Sequence, residues 1–123
     1  MGFGPLVDAA WLAAHLREPD LLAVDIRWYL DGRSGRAAYD AGHIPGAVFL
    51  DLDEITGEGR GRHPLPSTER FQAAMRRIGV RDASRVLAYD DVSGSVAARL
   101  WWLLDLFGHR AAAVLDGGIR AWA

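Results

Sequence analysis

The chain has 123 residues, half of them apolar and 24% charged, with a net charge of −2. That composition suits one compact domain and excludes both a disordered segment and the basic footprint of a nucleic-acid binder. There is no cysteine, so disulfides and thiolate metal sites are excluded as well.

The N-terminus, Met1-Gly-Phe-Gly-Pro5, shows no basic stretch leading into an apolar one, and Leu6 stands where a myristoylated Gly2 needs Ser or Thr. Arg99, Asp105 and His109 interrupt the longest apolar stretches, which fall far short of a membrane span. The expectation is a cytoplasmic protein with neither nucleic acid nor membrane as partner.

Asp8 is a predicted N-cap, followed by Trp11, Leu12 and Leu16 at helical spacing. The apolar run 21–25 predicts a strand buried on both faces of a parallel sheet. Residues 31–36 form a polar loop before a short predicted helix over 37–41, with Gly42 as its C-cap and Pro45 preventing its continuation. A second strand is predicted over 47–50 and a surface loop over 57–66. Ser67 caps a helix whose stripe is Phe71, Ala74, Met75 and Ile78, stopped by Gly79. A third strand over 85–89, a long helix over 96–107 and a fourth strand over 111–115 complete the pattern. The last residues, 119–123, begin what reads as another helix, too short to stand alone. The expectation is therefore a single domain, 1–123, cut from a longer chain.

Strands alternating with helices imply an α/β fold with right-handed βαβ units around a parallel sheet. Ligand sites in such sheets lie beyond the carboxyl ends of the strands. Residues 25–28, 90–95 and 116–118 are all predicted there.

The loop from Asp90 to Ser95 joins a buried strand directly to a helix start. Its small residues Ser93, Gly94 and Ser95 let backbone N–H groups converge into an anion cradle, which the Asp90 carboxylate can fill as a built-in anion. An ordinary strand-to-helix turn with Asp and Ser caps explains the same residues. A serine nucleophile elbow fails because Asp91 and Ser95 flank Ser93 where glycines are required. Aspartyl phosphoryl transfer lacks its second acid, the position two residues on being Val92. His43, in the string Gly42-His-Ile-Pro-Gly-Ala47, reads as a hydrogen-bonding plug for its turn. His15, His63 and His109 show no ligand spacing, so no metal is expected.

On the long helix, Val96, Ala97, Leu100, Leu104 and Phe107 make one apolar face. Trp102 and Leu106 fall on the other side, beside Ser95 and Arg99. Either a neighbouring helix of the same domain covers Trp102 or a partner domain docks there.

The segments Val24-Asp-Ile-Arg-Trp28, Tyr39-x-x-Gly-His-Ile-Pro-Gly-Ala-Val48 and His63-Pro-Leu-Pro-Ser67 are joined in order by three more. These are Tyr89-Asp-Asp91, Ala97-Ala-Arg-x-Trp-Trp102 and Val114-Leu-Asp-Gly-Gly-x-x-x-Trp122. Together they resemble the rhodanese-like sulfurtransferase family, specifically the N-terminal half of two-domain thiosulfate or 3-mercaptopyruvate sulfurtransferases. The resemblance implies a mainly parallel five-stranded sheet with helices on both faces. It also implies that Asp90 stands where active members carry a persulfide cysteine, as is common in N-terminal halves. No residue of this chain would then be catalytic, and no cofactor is implied. The implied partners are a C-terminal catalytic rhodanese domain of the same polypeptide and a small anionic sulfur donor. Trp28, Arg33, Arg36, Asp90, Asp91, Ser93, Gly94 and Ser95 are the candidates for the substrate cleft, and Arg99, Trp102 and Leu106 for the domain interface. The alternative is a free-standing non-catalytic module that binds a protein partner or an anion.

Overall fold

A computed structural model describes residues 3–57 and 64–122 of the chain. Most of the predicted loop over 57–66, with His63, lies outside them, as do Gly2 and Ala123.

Five strands pair in parallel: β1 (Leu6–Val7), β2 (Leu21–Asp25), β3 (Val48–Phe49), β4 (Arg85–Tyr89) and β5 (Ala112–Leu115). Their order across the sheet is β1-β5-β4-β2-β3. Among the described residues five helices surround them: α1 (Ala9–His15), α2 (Gly35–Ala41), α3 (Thr68–Ile78), α4 (Ser95–Leu106) and α5 (Gly118–Trp122), with a 3-10 turn at Leu52–Ile55.

Strand side chains alternate between two cores because successive Cβ atoms point to opposite faces. Val24, Val86, Ala88, Ala112 and Val114 join the core beneath α3 and α4. Ala23, Leu87, Tyr89, Ala113 and Leu115 join the one beneath α1, with Tyr39 of α2 and Ile119 of α5 packed against it. Both faces being covered, the strands read as nearly continuous apolar runs.

The predicted stripe of α3 is buried in full: Phe71, Ala74, Met75 and Ile78. The three large side chains each contribute about 1.5–3 kcal/mol by leaving water. Ser67 Oγ accepts from the Arg70 amide at 3.1 Å, and Gly79, at φ 93°, closes the helix. Helix α2 starts two residues before the predicted 37 because Ser34 caps it, its Oγ accepting from the Ala37 amide at 3.0 Å. Gly42 ends α2 in extended backbone, its amide shared between the Ala38 and Tyr39 carbonyls.

Helix α4 buries Ala97, Leu100, Leu103 and Leu104, while Val96 and Phe107 are half-buried against the same core. No neighbouring helix covers its other side among the described residues, since Trp102 is 43% exposed and Leu106 51%. No helix of the described residues is long and apolar enough to cross a membrane.

Candidate functional site

The sheet reverses its direction of winding between β2 and β4. The chain leaves β2 toward α2 on one face and leaves β4 toward α4 on the other. Loops that diverge in this way open a crevice at the carboxyl edge, the usual ligand position of such sheets.

From β4, Asp90 turns its carboxylate back under the loop it begins. Oδ1 accepts from the amides of Val92 and Gly94, both at 3.0 Å, and Oδ2 from those of Val96 at 3.0 Å and Ala97 at 2.9 Å. To aim these N–H groups inward the backbone goes left-handed twice in succession, at Ser93 (φ 72°) and Gly94 (φ 84°). Gly94 offers no capping side chain to α4, so Asp90 satisfies the helix's free donors from the end of the strand. It also sets a negative charge at the positive end of the helix dipole. The side chain is 1% exposed. Both oxygens are thus committed, which removes Asp90 as a nucleophile or a metal ligand. Among the described residues no group of three or more His, Asp or Glu could hold a metal ion.

Beyond β2 stands a second buried carboxylate, Asp25, at 0% exposure. Arg27, two residues on and therefore on the same side of the extended chain, binds it through Nε at 3.1 Å and through a terminal nitrogen at 2.7 Å. That terminal nitrogen also donates to the Gly42 carbonyl at 2.6 Å. Burial opposes the Arg27 charge, but hydrogen bonding and attraction from Asp25 hold its pKa above the ordinary arginine value. Tyr89 lies between the two carboxylates in sequence register, paired with Asp25 across the sheet. Its hydroxyl accepts from the Ile44 amide at 3.2 Å, and burial pushes its pKa up. In the same turn His43 does plug the bend, with Nδ1 2.8 Å from the Tyr39 carbonyl and its ring stacked on Tyr39.

Over the crevice lies an open cleft of about 350 Å³, lined by Trp28, Tyr29, Leu30, Asp31 and Arg33 from one side and Val92, Ser95 and Val96 from the other. The Tyr29 hydroxyl spans the two loops, donating to Asp91 Oδ2 at 2.6 Å. Its pKa is raised, first by burial and then by Asp91. Asp91 Oδ1 is buried without a hydrogen-bond partner among the described residues. Arg33 stacks 4.2 Å above the Tyr29 ring and binds Asp31 at 2.9 Å.

Of the residues singled out by sequence, Trp28, Arg33 and Ser95 line this cleft, and Asp91 reaches it through Tyr29. Asp90, Ser93 and Gly94 build the sealed loop beneath. Arg36 is not part of the lining: it pairs with Asp40 along α2 and stands over the Tyr39 and Phe49 rings. Arg99 places its guanidinium over Trp102 on the outer side of α4. Sequence reasoning passed over Tyr29 and the Asp25–Arg27 pair. The pair was signalled by opposite charges two residues apart where an apolar strand ends. Tyr29 carried no such signal, because its partner lies 62 residues away.

Residues 8–123 match the family described as the rhodanese-like domain. The chain is 40% identical over 126 residues to human 3-mercaptopyruvate sulfurtransferase, covering 95% of this chain and 42% of that protein. It is 40% identical over 121 residues to the mitochondrial thiosulfate/3-mercaptopyruvate sulfurtransferase 1 of Arabidopsis thaliana, covering 96% and 32%. Among solved structures it matches SseA of Escherichia coli, a 3-mercaptopyruvate sulfotransferase, with a TM-score of 0.88 and 35% identity. That match covers 96% of this chain and 47% of the other, so the chain spans less than half the length of each of these relatives. A parallel five-stranded sheet with helices on both faces, matched along almost its whole length, makes this chain a member of the rhodanese-like family.

Proposed function

We propose that this domain is the non-catalytic N-terminal half of a two-domain sulfurtransferase, where it forms one wall of a cleft whose persulfide cysteine belongs to a second rhodanese-like domain. The observation that carries this reading is the Asp90 loop. At the position where active members hold a thiol, this chain has a carboxylate sealed by four backbone amides, and it has no cysteine anywhere. Its length, under half that of relatives named as sulfurtransferases, supports the same reading.

The chemistry assigned to the second domain is the transfer of sulfane sulfur from a small anionic donor, thiosulfate or 3-mercaptopyruvate, to a thiophile. This domain's own contribution is physical. Trp28, Tyr29 and Leu30 supply an apolar wall that excludes water from the cleft and strengthens its electrostatics. Arg33, exposed above Tyr29 and paired with Asp31 at the cleft rim, binds the anion by exchanging that carboxylate for it.

The test is the intact gene product. Its mass should be roughly twice that of this chain, as two domains of this size require, with a cysteine in the added half. It should form thiocyanate from donor and cyanide, while residues 1–123 alone should not. Arg33→Ala in the intact product should raise the donor KM with kcat little changed. A gene product near 13.5 kDa would sink the reading and leave a free-standing binding module. Asp90→Cys in residues 1–123 should yield no persulfide with thiosulfate, because a side chain 1% exposed is out of the donor's reach.

A further inference from the structure

A second open groove, of about 220 Å³, lies between α3 and the end of α4. Val80, Arg81 and Asp82 on its wall lead into β4, and His109 leads toward β5, so it sits at the amino edge of the sheet. The cleft described above is at the carboxyl edge, about 17 Å away along the five residues of β4. The two are separate features.

The floor of the groove is apolar. Phe71, Met75 and Leu104 are buried in it, with Val80 and Phe107 half-buried against the same core. The Phe71 and Phe107 rings stack at 4.8 Å and 25°, and Met75 brings a polarizable sulfur, so the floor suits a flat aromatic guest. An apolar cavity of about 150 Å³ is enough for benzene. This groove has room for a ring and a short arm.

The rim is polar and charged, which gives a guest its direction. Arg76 and Arg81 are exposed there, and their guanidinium groups have no partner among the described residues. Arg77, the next residue along α3, is by contrast held by Glu54. His109 is engaged as well, its Nε2 lying 2.7 Å from the Ser84 carbonyl. Asp82 is the one carboxylate in the lining, so two cations face a single anion on a chain whose net charge is −2. That balance fits a monoanion. A phosphate or a dicarboxylate would set a further negative charge beside Asp82. Paired N–H donors of a guanidinium match the two oxygens of a carboxylate.

We infer that this groove binds a small aromatic monocarboxylate, with its ring on the Phe71–Phe107 floor and its carboxylate held by Arg76 and Arg81. The inference stands apart from the two-domain reading above.

The experiment titrates 3-(4-fluorophenyl)propionate into the intact gene product and follows the fluorine NMR signal. Binding should saturate at one site, and excess thiosulfate should leave it in place. Arg76→Gln or Arg81→Gln should weaken it about tenfold, as loss of a charge-assisted hydrogen bond requires. Arg17→Gln, an exposed arginine following α1 on the other face of the sheet, should not change it. Asp82→Asn should tighten binding about threefold by removing the opposing charge. A misfolded variant could not produce that gain. The corresponding propanamide, with the same ring and no charge, should bind at least about tenfold more weakly. Absence of saturable binding overturns the inference. So does binding that thiosulfate displaces, that ignores Arg76→Gln and Arg81→Gln, or that the amide reproduces.

Discussion

Two aspartates occupy nearly the same place in adjacent strands and solve the same problem with different chemistry. Asp25 ends β2 and Asp90 directly follows β4, one residue beyond its register partner Tyr89. Both carboxylates are out of water, which is tolerable only if their lone pairs are bonded. Asp25 is satisfied by a neighbouring cation, and that cation goes on to hold the Gly42 turn. Asp90 is satisfied by peptide N–H groups alone, and so holds a helix. The lesson is that a buried charge at the ligand edge of a sheet need not be chemical machinery. Where every acceptor site is occupied, the charge is part of the frame, and the open cleft beside it is a separate feature built by other side chains.

The contrast can be broken most severely at the ion pair. Asp25→Ala leaves a buried guanidinium short of its carboxylate, and should cost about 3–5 kcal/mol in urea unfolding. A loss under about 1 kcal/mol would put the pair on a par with surface salt bridges and erase the distinction. Asp90→Asn should cost less, about 2 kcal/mol: one oxygen still accepts, but an NH₂ group now faces two amide donors. If Asn at 90 were harmless, the loop would not depend on charge.

Tyr29→Phe probes the bridge between the two loops, and should cost about 1 kcal/mol for its single hydrogen bond to Asp91. It also sharpens a pH dependence. The pKa values of Tyr29 and Tyr89 are both raised in the folded protein, so on raising the pH the unfolded chain loses its phenolic protons first. The stability they contribute is complete below the unfolded tyrosine pKa of about 10 and is lost as pH climbs from there toward the folded values. Melting curves from pH 8 to 11 should show this fall, and Tyr29→Phe should make it shallower. The smallest effect belongs to Arg36→Ala. Its pair with Asp40 is exposed on both sides, and its loss should stay below about 0.5 kcal/mol.

Where local rules decide the structure, the sequence was readable. The caps at Asp8 and Ser67, the stripe of α3 and four strands follow from periodicity and capping chemistry. The cradle at Asp90 follows from small residues between a strand and a helix. Strand β1 does not, because two residues, Leu6 and Val7, are too few to show a period; β5 alone makes them a strand. The cleft was only partly visible for the same reason. Arg33 and Ser95 could be placed at the right edge of the sheet, but which side chains meet there depends on how the loops fold over one another. That left Arg36 grouped with Arg33 by proximity in sequence although α2 carries it away. For the outer side of α4 the helical projection separated Trp102 from the core correctly, but could not say that no helix of the described residues covers it.

The peptide at Asp90 serves both layers of helices at once. Its side chain grips the first turn of α4 on one face of the sheet, and its carbonyl accepts from the Ile119 amide at 3.0 Å in α5, whose Ile119 and Trp122 pack against the opposite core. Gly118 makes that approach feasible, since a Cβ there would fall 2.3 Å from the same carbonyl oxygen. One residue therefore acts as a bolt through the sheet. Opening either helix withdraws a partner from the other, so the amides of Ala97 and Ile119 should exchange with deuterium in a single cooperative event although they lie on opposite sides of the molecule.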